Sequence, residues 1–127
     1  MKKVLVADDK ATGRELVRTV LENSGYEVFE ASNGLEAVKQ AHQLSPDLII
    51  LDIHMPGLDG FGVIEQLRRE KHFAATPIIA LTASAMMGDR ERAMAAGFTG
   101  YITKPIDTRE LPGVLAALLA KAESRGA

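Results

Sequence analysis

Asp8, Asp9, Asp52, Thr82 and Lys104 are the residues of this chain whose types could do chemistry together. Each ends or follows a short apolar run. VLVA (4–7) runs into the aspartate doublet, DLIIL (47–51) into Asp52, PIIAL (77–81) into Thr82 and YIT (101–103) into Lys104. Singly, each has an ordinary use: a strand-end aspartate is most often a turn or helix cap, and a Lys-Pro pair is normally a surface loop. Their recurrence at equivalent places argues for one site. Three carboxylates held close together repel, and their pKa values rise unless a cation neutralises them. All-oxygen ligation suits a hard divalent ion, Mg2+ or Mn2+. A carboxylate beside such an ion can attack a phosphoryl group and form an aspartyl phosphate. The charge on the transferred group would then be met by the metal, the Lys104 ammonium, the Thr82 hydroxyl and loop N–H groups.

That chemistry requires the four runs to share one edge. Continuous apolar runs of four or five residues read as strands covered on both faces, hence a parallel sheet. YEVFEA (26–31) alternates instead and reads as an edge strand. Between the runs lie helical spacings: Leu16, Val17, Val20 and Leu21; Leu35, Val38, Ala41 and His42; Phe61, Ile64 and Leu67; Met86, Ala93 and Met94; Leu111, Leu115, Leu118 and Leu119. Thr12-x-x-Glu15 and Asn33-x-x-Glu36 resemble capping boxes, and Gly25, Gly60 and Gly97 fall where helices start or stop. Asp107 could cap the last helix, but Pro112 would then remove a donor inside it. A start near Leu111 puts Pro112 in the first turn, where it is tolerated. Strand and helix alternate five times, which dictates an α/β fold: a doubly wound five-stranded parallel sheet with helices on both faces. In such folds ligands bind at the carboxyl ends of the strands, where residues 8, 52, 82 and 104 would converge. Asp52 is expected on the rim of a cleft there.

The bulk properties exclude several classes. The 127 residues suffice for one core, here taken as residues 1–122 with a flexible tail at 123–127. A formal net charge of −2 offers no field for nucleic acid or an anionic membrane. The absence of cysteine removes disulfides and thiolate metal sites and fits a reducing, cytoplasmic setting. The opening MKKVLVADD is too short for a signal peptide, and VLAALLA (114–120) is far too short to span a bilayer.

The motifs DD (8–9), LDIHMPGLDG (51–60), LTA (81–83) and TKP (103–105), in this order within five strand–helix repeats, resemble the receiver domain of two-component response regulators over about residues 3–120. The resemblance implies a flavodoxin-like fold with strand order 2-1-3-4-5. It implies Asp52 as phosphoacceptor, and Mg2+ held by Asp8, Asp9, Asp52 and the backbone carbonyl of His54, with Asp9 the direct ligand of the acidic pair. Thr82 and Tyr101 would be the switch pair, Lys104 the partner of the phosphoryl group, and Lys104–Pro105 a cis peptide. It implies a histidine kinase or phosphotransfer protein as donor and a protein target on the face of the fourth helix, fifth strand and fifth helix. The stretch ASAMMGDRERAMAAGFTGYITKPID looks like receivers of hybrid kinases and like stand-alone regulators of the cell-cycle kind. A free-standing protein is the favoured of these two. GDRER (88–92) bears on the partner surface, and His54 and Ser84 would tune hydrolysis of the phosphorylated state.

Other residues have plainer readings. Met86 and Met87 form either an adaptable surface or core, His42 and His72 are solvated helix residues, Arg68-Arg69-Glu70-Lys71 is a wet helix face, and Phe98 is core. Among rival functions, a nucleotide or flavin binder wants a glycine-rich first loop, but ADDKATG is acidic. An aspartate-nucleophile phosphatase wants a second carboxylate two residues on, where His54 stands. The serious rival is a receiver-like interaction module that is never phosphorylated. It would lack one of Asp52, Lys104 or the acidic pair, and all are present.

Overall fold

The computed structural model describes residues 1–83 and 88–126. Ser84, Met86 and Met87 lie outside the described residues. The elements are β1 (Lys3–Ala7), α1 (Ala11–Asn23), β2 (Glu27–Ala31), α2 (Gly34–Leu44), β3 (Leu48–Asp52), α3 (Gly60–Arg68), a 3-10 turn (Lys71–Phe73), β4 (Ile78–Thr82), α4 (Asp89–Ala96), β5 (Gly100–Thr103) and α5 (Leu111–Gly126). All strand pairs are parallel, in the order β2-β1-β3-β4-β5. No described helix is long and apolar enough to cross a membrane.

The pleat divides the core. On one face Leu5, Ala7, Ile49, Leu51, Ile78 and Ala80 pack with Ala37 and Ala41 of α2, Val63, Ile64 and Leu67 of α3, and Ala93 of α4. On the other, Val4, Val6, Leu48, Ile50, Ile79 and Leu81 pack with Val17 and Leu21 of α1 and Leu111, Leu115 and Leu119 of α5. β3 and β4 are buried at every position, as their unbroken apolar sequence requires. β2 is an edge, as its alternation predicts. β5 is the opposite edge and only half-covered, so YIT is not a strand buried on both faces.

Several local expectations change. Thr12 does not cap α1: the helix begins at Ala11 behind Lys10, with no side-chain cap. Asn33 does cap α2, accepting from the Glu36 N–H at 2.8 Å, while Glu36 reaches back to the N–H of Ser32. Leu16, Leu35 and Met94 are exposed. Of the expected stripes, Val17 and Leu21, Ala41, and Ala93 are buried, and Ala37 joins Ala41 on α2. Helix α5 starts at Leu111 with Pro112 in its first turn, and Asp107 closes the turn before it through the Arg109 N–H. Residues 123–126, expected within a flexible tail, are helical. His42 is half-exposed, paired with Glu70 at 2.7 Å, and its ring and that of His72 both meet Phe73 edge-on. Phe98 is core, as expected.

Arg68 is no part of a wet face. Its half-buried guanidinium donates to the carbonyls of Phe73, Thr76 and Gly97. Gly97 is the left-handed cap of α4, so this one side chain ties the end of α3 to the end of α4.

Candidate phosphorylation and metal site

The parallel register builds the site. β1 and β3 pair Ala7 with Leu51, so the next residues on each strand, Asp8 and Asp52, emerge side by side. Pleat alternation continues past Val4 and Val6 to Asp8, and past Leu48 and Ile50 to Asp52, placing both carboxylates on the α1/α5 face. Lys104, just beyond β5, reaches the same place. Its Nζ donates to Asp52 Oδ2 at 2.8 Å and to Asp8 Oδ2 at 3.0 Å. Asp9 completes the group: one carboxylate oxygen from each of Asp8, Asp9 and Asp52 can be chosen so that all lie within 4.8 Å of one another.

The strand ends where Asp52 is expected on a cleft rim are covered. Asp52 is 4% exposed and Asp8 1%, and both are fully hydrogen-bonded. Asp52 Oδ1 accepts from the His54 N–H at 2.8 Å, and Asp8 Oδ1 from the Lys10 N–H at 3.0 Å. The second bond is the local turn that launches α1, so Asp8 serves both the helix start and the site. Two glycines allow the close packing. Gly60 opens α3 against the backbone of Asp52 and Ile53, where a Cβ would lie 2.7 Å from the Asp52 carbonyl. In α1, a Cβ at Gly13 would lie 2.7 Å from Asp8 Oδ2.

The electrostatics follow from burial against contacts. Burial is the largest influence on Asp52 and pushes its carboxyl above the ordinary aspartate range, despite Lys104 and the His54 N–H. Burial also acts most strongly on Asp8, but the Lys10 N–H and Lys104 outweigh it and hold that carboxyl low. Lys104 is raised, because its bonds to Asp52 and Asp8 outweigh burial. One ammonium facing three carboxylates leaves negative charge in excess. The donor set is oxygen only, as a hard divalent cation of the Mg2+ kind requires, so the residues fit such an ion.

Thr82 ends β4 beside these groups, 1% exposed. Its pleat parity is that of Ile78 and Ala80, so it belongs to the α2–α4 face, opposite the acids. Tyr101 lies on that same face, half-buried against its core. The Lys104–Pro105 peptide is cis, as the resemblance implies. Sequence reasoning missed Gly13 and Arg14. Arg14 donates to the Asp8 backbone carbonyl at 2.7 Å and to Glu30 Oε1 at 3.0 Å. The spacing DDxxxxR carries no motif that would have flagged it.

The comparisons agree with this geometry. Residues 4–116 match the family described as the response regulator receiver domain. The transcriptional regulatory protein ResD of Bacillus subtilis is 44% identical over 94% of this chain and 49% of its own length, so the chain spans about half of such curated relatives. The polar-differentiation response regulator DivK of Brucella anthropi is 41% identical over 83% of this chain and 85% of its own. Among solved structures, the receiver domain of sensor histidine kinase PA1611 from Pseudomonas aeruginosa, described with a magnesium ion in its active-site cleft, has a TM-score of 0.86 at 32% identity. It covers 94% of this chain and 98% of that one. Chemotaxis protein CheY4 of Vibrio cholerae has a TM-score of 0.87 at 34% identity, over 93% of this chain and 98% of its own. A strand order of 2-1-3-4-5, a carboxylate cluster bridged by a strand-end lysine and a family match along nearly the whole chain converge: this protein belongs to the response regulator receiver domains, phosphorylation-dependent signalling switches of two-component systems.

Proposed function

We propose that Asp52 is the phosphoacceptor, and that Asp8, Asp9, Asp52 and the backbone carbonyl of His54 hold Mg2+ there. The observation that carries this is the Lys104 ammonium seated between the Asp52 and Asp8 carboxylates, with Asp9 alongside. An Asp52 oxygen attacks the phosphorus of a phosphohistidine on a kinase or phosphotransfer protein, or of a small acyl phosphate. The P–O bond to Asp52 forms as the donor's P–N or P–O bond breaks, and the donor group leaves with the electron pair. The bound metal supplies positive charge against the carboxylates and the transferred group. Lys104 meets the phosphoryl oxygens as they come within its reach, and the Thr82 hydroxyl donates to another. His54, exposed beside the site, tunes the later attack of water.

Thr82 drawn towards the phosphoryl group leaves space on the α2–α4 face, into which Tyr101 turns. Phosphorylation thereby favours one arrangement of α4, β5 and α5, the surface proposed for the downstream protein. The protein acts as a switch and not on a separate substrate.

The test is incubation with acetyl phosphate and Mg2+, followed by mass spectrometry. One phosphoryl adduct is expected on the parent, absent in Asp52→Asn and absent when EDTA replaces Mg2+. No adduct from acetyl phosphate or from a phosphorylated phosphotransfer protein would favour the unphosphorylated interaction module.

A further inference from the structure

The two ends of the Asp8 peptide are tied to β2 by separate means. Its N–H donates to the Ala31 carbonyl at 3.1 Å, extending the ladder one residue past β1. Its carbonyl, which opens the peptide to Asp9, accepts from Arg14 Nη1 at 2.7 Å. Arg14 is largely buried, 17% exposed in its side chain. Its Nε is fixed by Glu30 Oε1 at 3.0 Å, and Glu30 also accepts from Arg18 Nη1 at 2.8 Å. The Glu30 carbonyl accepts in turn from Gln40 of α2 at 2.6 Å. A chain of contacts thus runs from α2 through Glu30 and Arg14 to the Asp8–Asp9 peptide. Among the described residues, Arg14 makes no hydrogen bond or ion pair to an Asp8, Asp9 or Asp52 carboxylate.

We infer that Arg14, held by Glu30, is a positioning residue for the acidic pair: it fixes the peptide joining Asp8 to Asp9 and so sets both carboxylates for the divalent cation. This rests on the reading of Asp8 and Asp9 as metal ligands. The guanidinium suits the task because it spans two acceptors at a fixed angle. Glu30 balances its charge. A cation this near two ligand carboxylates would otherwise oppose a divalent ion. Residues that orient ligands from behind typically change metal affinity by 10- to 100-fold when removed.

The sign of the effect separates positioning from simple charge. Arg14→Met keeps the apolar stem and removes both donors and charge. Loss of a nearby positive charge alone would tighten Mg2+ binding; loss of the positioning contact weakens it. Mg2+ affinity is read by amide NMR titration, with thermal unfolding in EDTA to establish that each variant folds. Arg14→Met is expected to weaken Mg2+ by about tenfold. Arg14→Lys, which offers one donor to the Asp8 carbonyl, is expected to recover part of the loss. Glu30→Gln, which frees Arg14 from its anchor and leaves its charge unbalanced, is expected to weaken binding as well. If Arg14→Met does not fold, Arg14→Lys and Glu30→Gln decide. A folded Arg14→Met that binds Mg2+ as well as the parent or better, or Glu30→Gln and Arg14→Lys both at parental affinity, overturns the inference alone. A parent that binds no Mg2+ overturns the metal-site reading and this inference with it.

Discussion

Lys104 Nζ lies 2.8 Å from Asp52 Oδ2 although 52 residues separate them in sequence. The ammonium occupies ground that a cation and a phosphoryl group would also claim, so it should oppose metal binding while assisting transfer. Lys104→Met is therefore expected to bind Mg2+ several-fold more tightly, having lost a competing charge. It should accept phosphate from acetyl phosphate roughly 100-fold more slowly, having lost a donor to the transferred group. Parallel NMR titration and mass-spectrometric time courses check both signs. Equal rates for variant and parent would remove Lys104 from the chemistry.

Gly13 sits inside α1, where alanine should stabilise the helix by about 1 kcal/mol. Its missing Cβ is the space that Asp8 Oδ2 occupies, at 2.7 Å from where that carbon would be. Gly13→Ala is expected to displace the carboxylate and weaken Mg2+ on the order of tenfold. Calorimetry in EDTA should show the variant still cooperatively folded. Unchanged affinity would mean that Asp8 yields without consequence.

Glu30 offers a pH test outside the carboxylate cluster. Arg18, then Arg14, hold its carboxyl below the ordinary range against the opposing effect of burial. A depressed carboxylate stabilises the fold fully above its unfolded value, about 4.3. That contribution is lost as pH falls from there through the lower folded value. With Arg18 half-exposed, the ion pairs are worth about 0.5–1 kcal/mol. Glu30→Gln should therefore lower stability near pH 7 by that amount, and the gap should close on acidification. Denaturation in urea at pH 7 and below pH 4 measures it. A gap that widens in acid contradicts the sign.

Arg68 donates to three backbone carbonyls from a half-buried position, with no acidic partner among the described residues. Its removal leaves the carbonyls of Phe73, Thr76 and Gly97 short of a donor. Arg68→Ala is expected to cost about 2–3 kcal/mol in chemical denaturation. Arg68→Lys retains the charge but not the fork, and should restore less than half. A loss below about 0.5 kcal/mol would return Arg68 to the wet helix face of the sequence reading.

The sequence made the strand ends legible because parallel strands buried on both faces leave unbroken apolar runs, and the polar residue ending each run is conspicuous. Asn33 and Pro112 were legible for local reasons, as a cap and a helix start obey short-range rules. Leu16, Leu35 and Met94 misled, because helical spacing gives a stripe but does not say which of its apolar residues face the sheet and which lie at its exposed margin. Val17, in the expected stripe, is buried, and Ala37, outside it, is buried too. Thr12 misled because the side chain of Asp8, before the helix, already supplied the turn. Arg14 and Arg68 were illegible for a different reason. Each is a charged helix residue that donates to backbone carbonyls, and a sequence does not display where carbonyls are left waiting.

The alternation that puts Asp8 and Asp52 towards α1 and α5, and Thr82 and Tyr101 towards α2–α4, has a consequence for how such a protein can diversify. The sheet is a partition. With Asp52 as the proposed phosphoacceptor and Tyr101 as the proposed switch residue, substitutions beneath one layer of helices would alter how quickly the mark is written and erased, while substitutions beneath the other would alter what the mark does to a listener. Timing and meaning would thus be adjustable from different sides of the sheet, joined through Thr82 where β3 and β4 run side by side at their carboxyl ends.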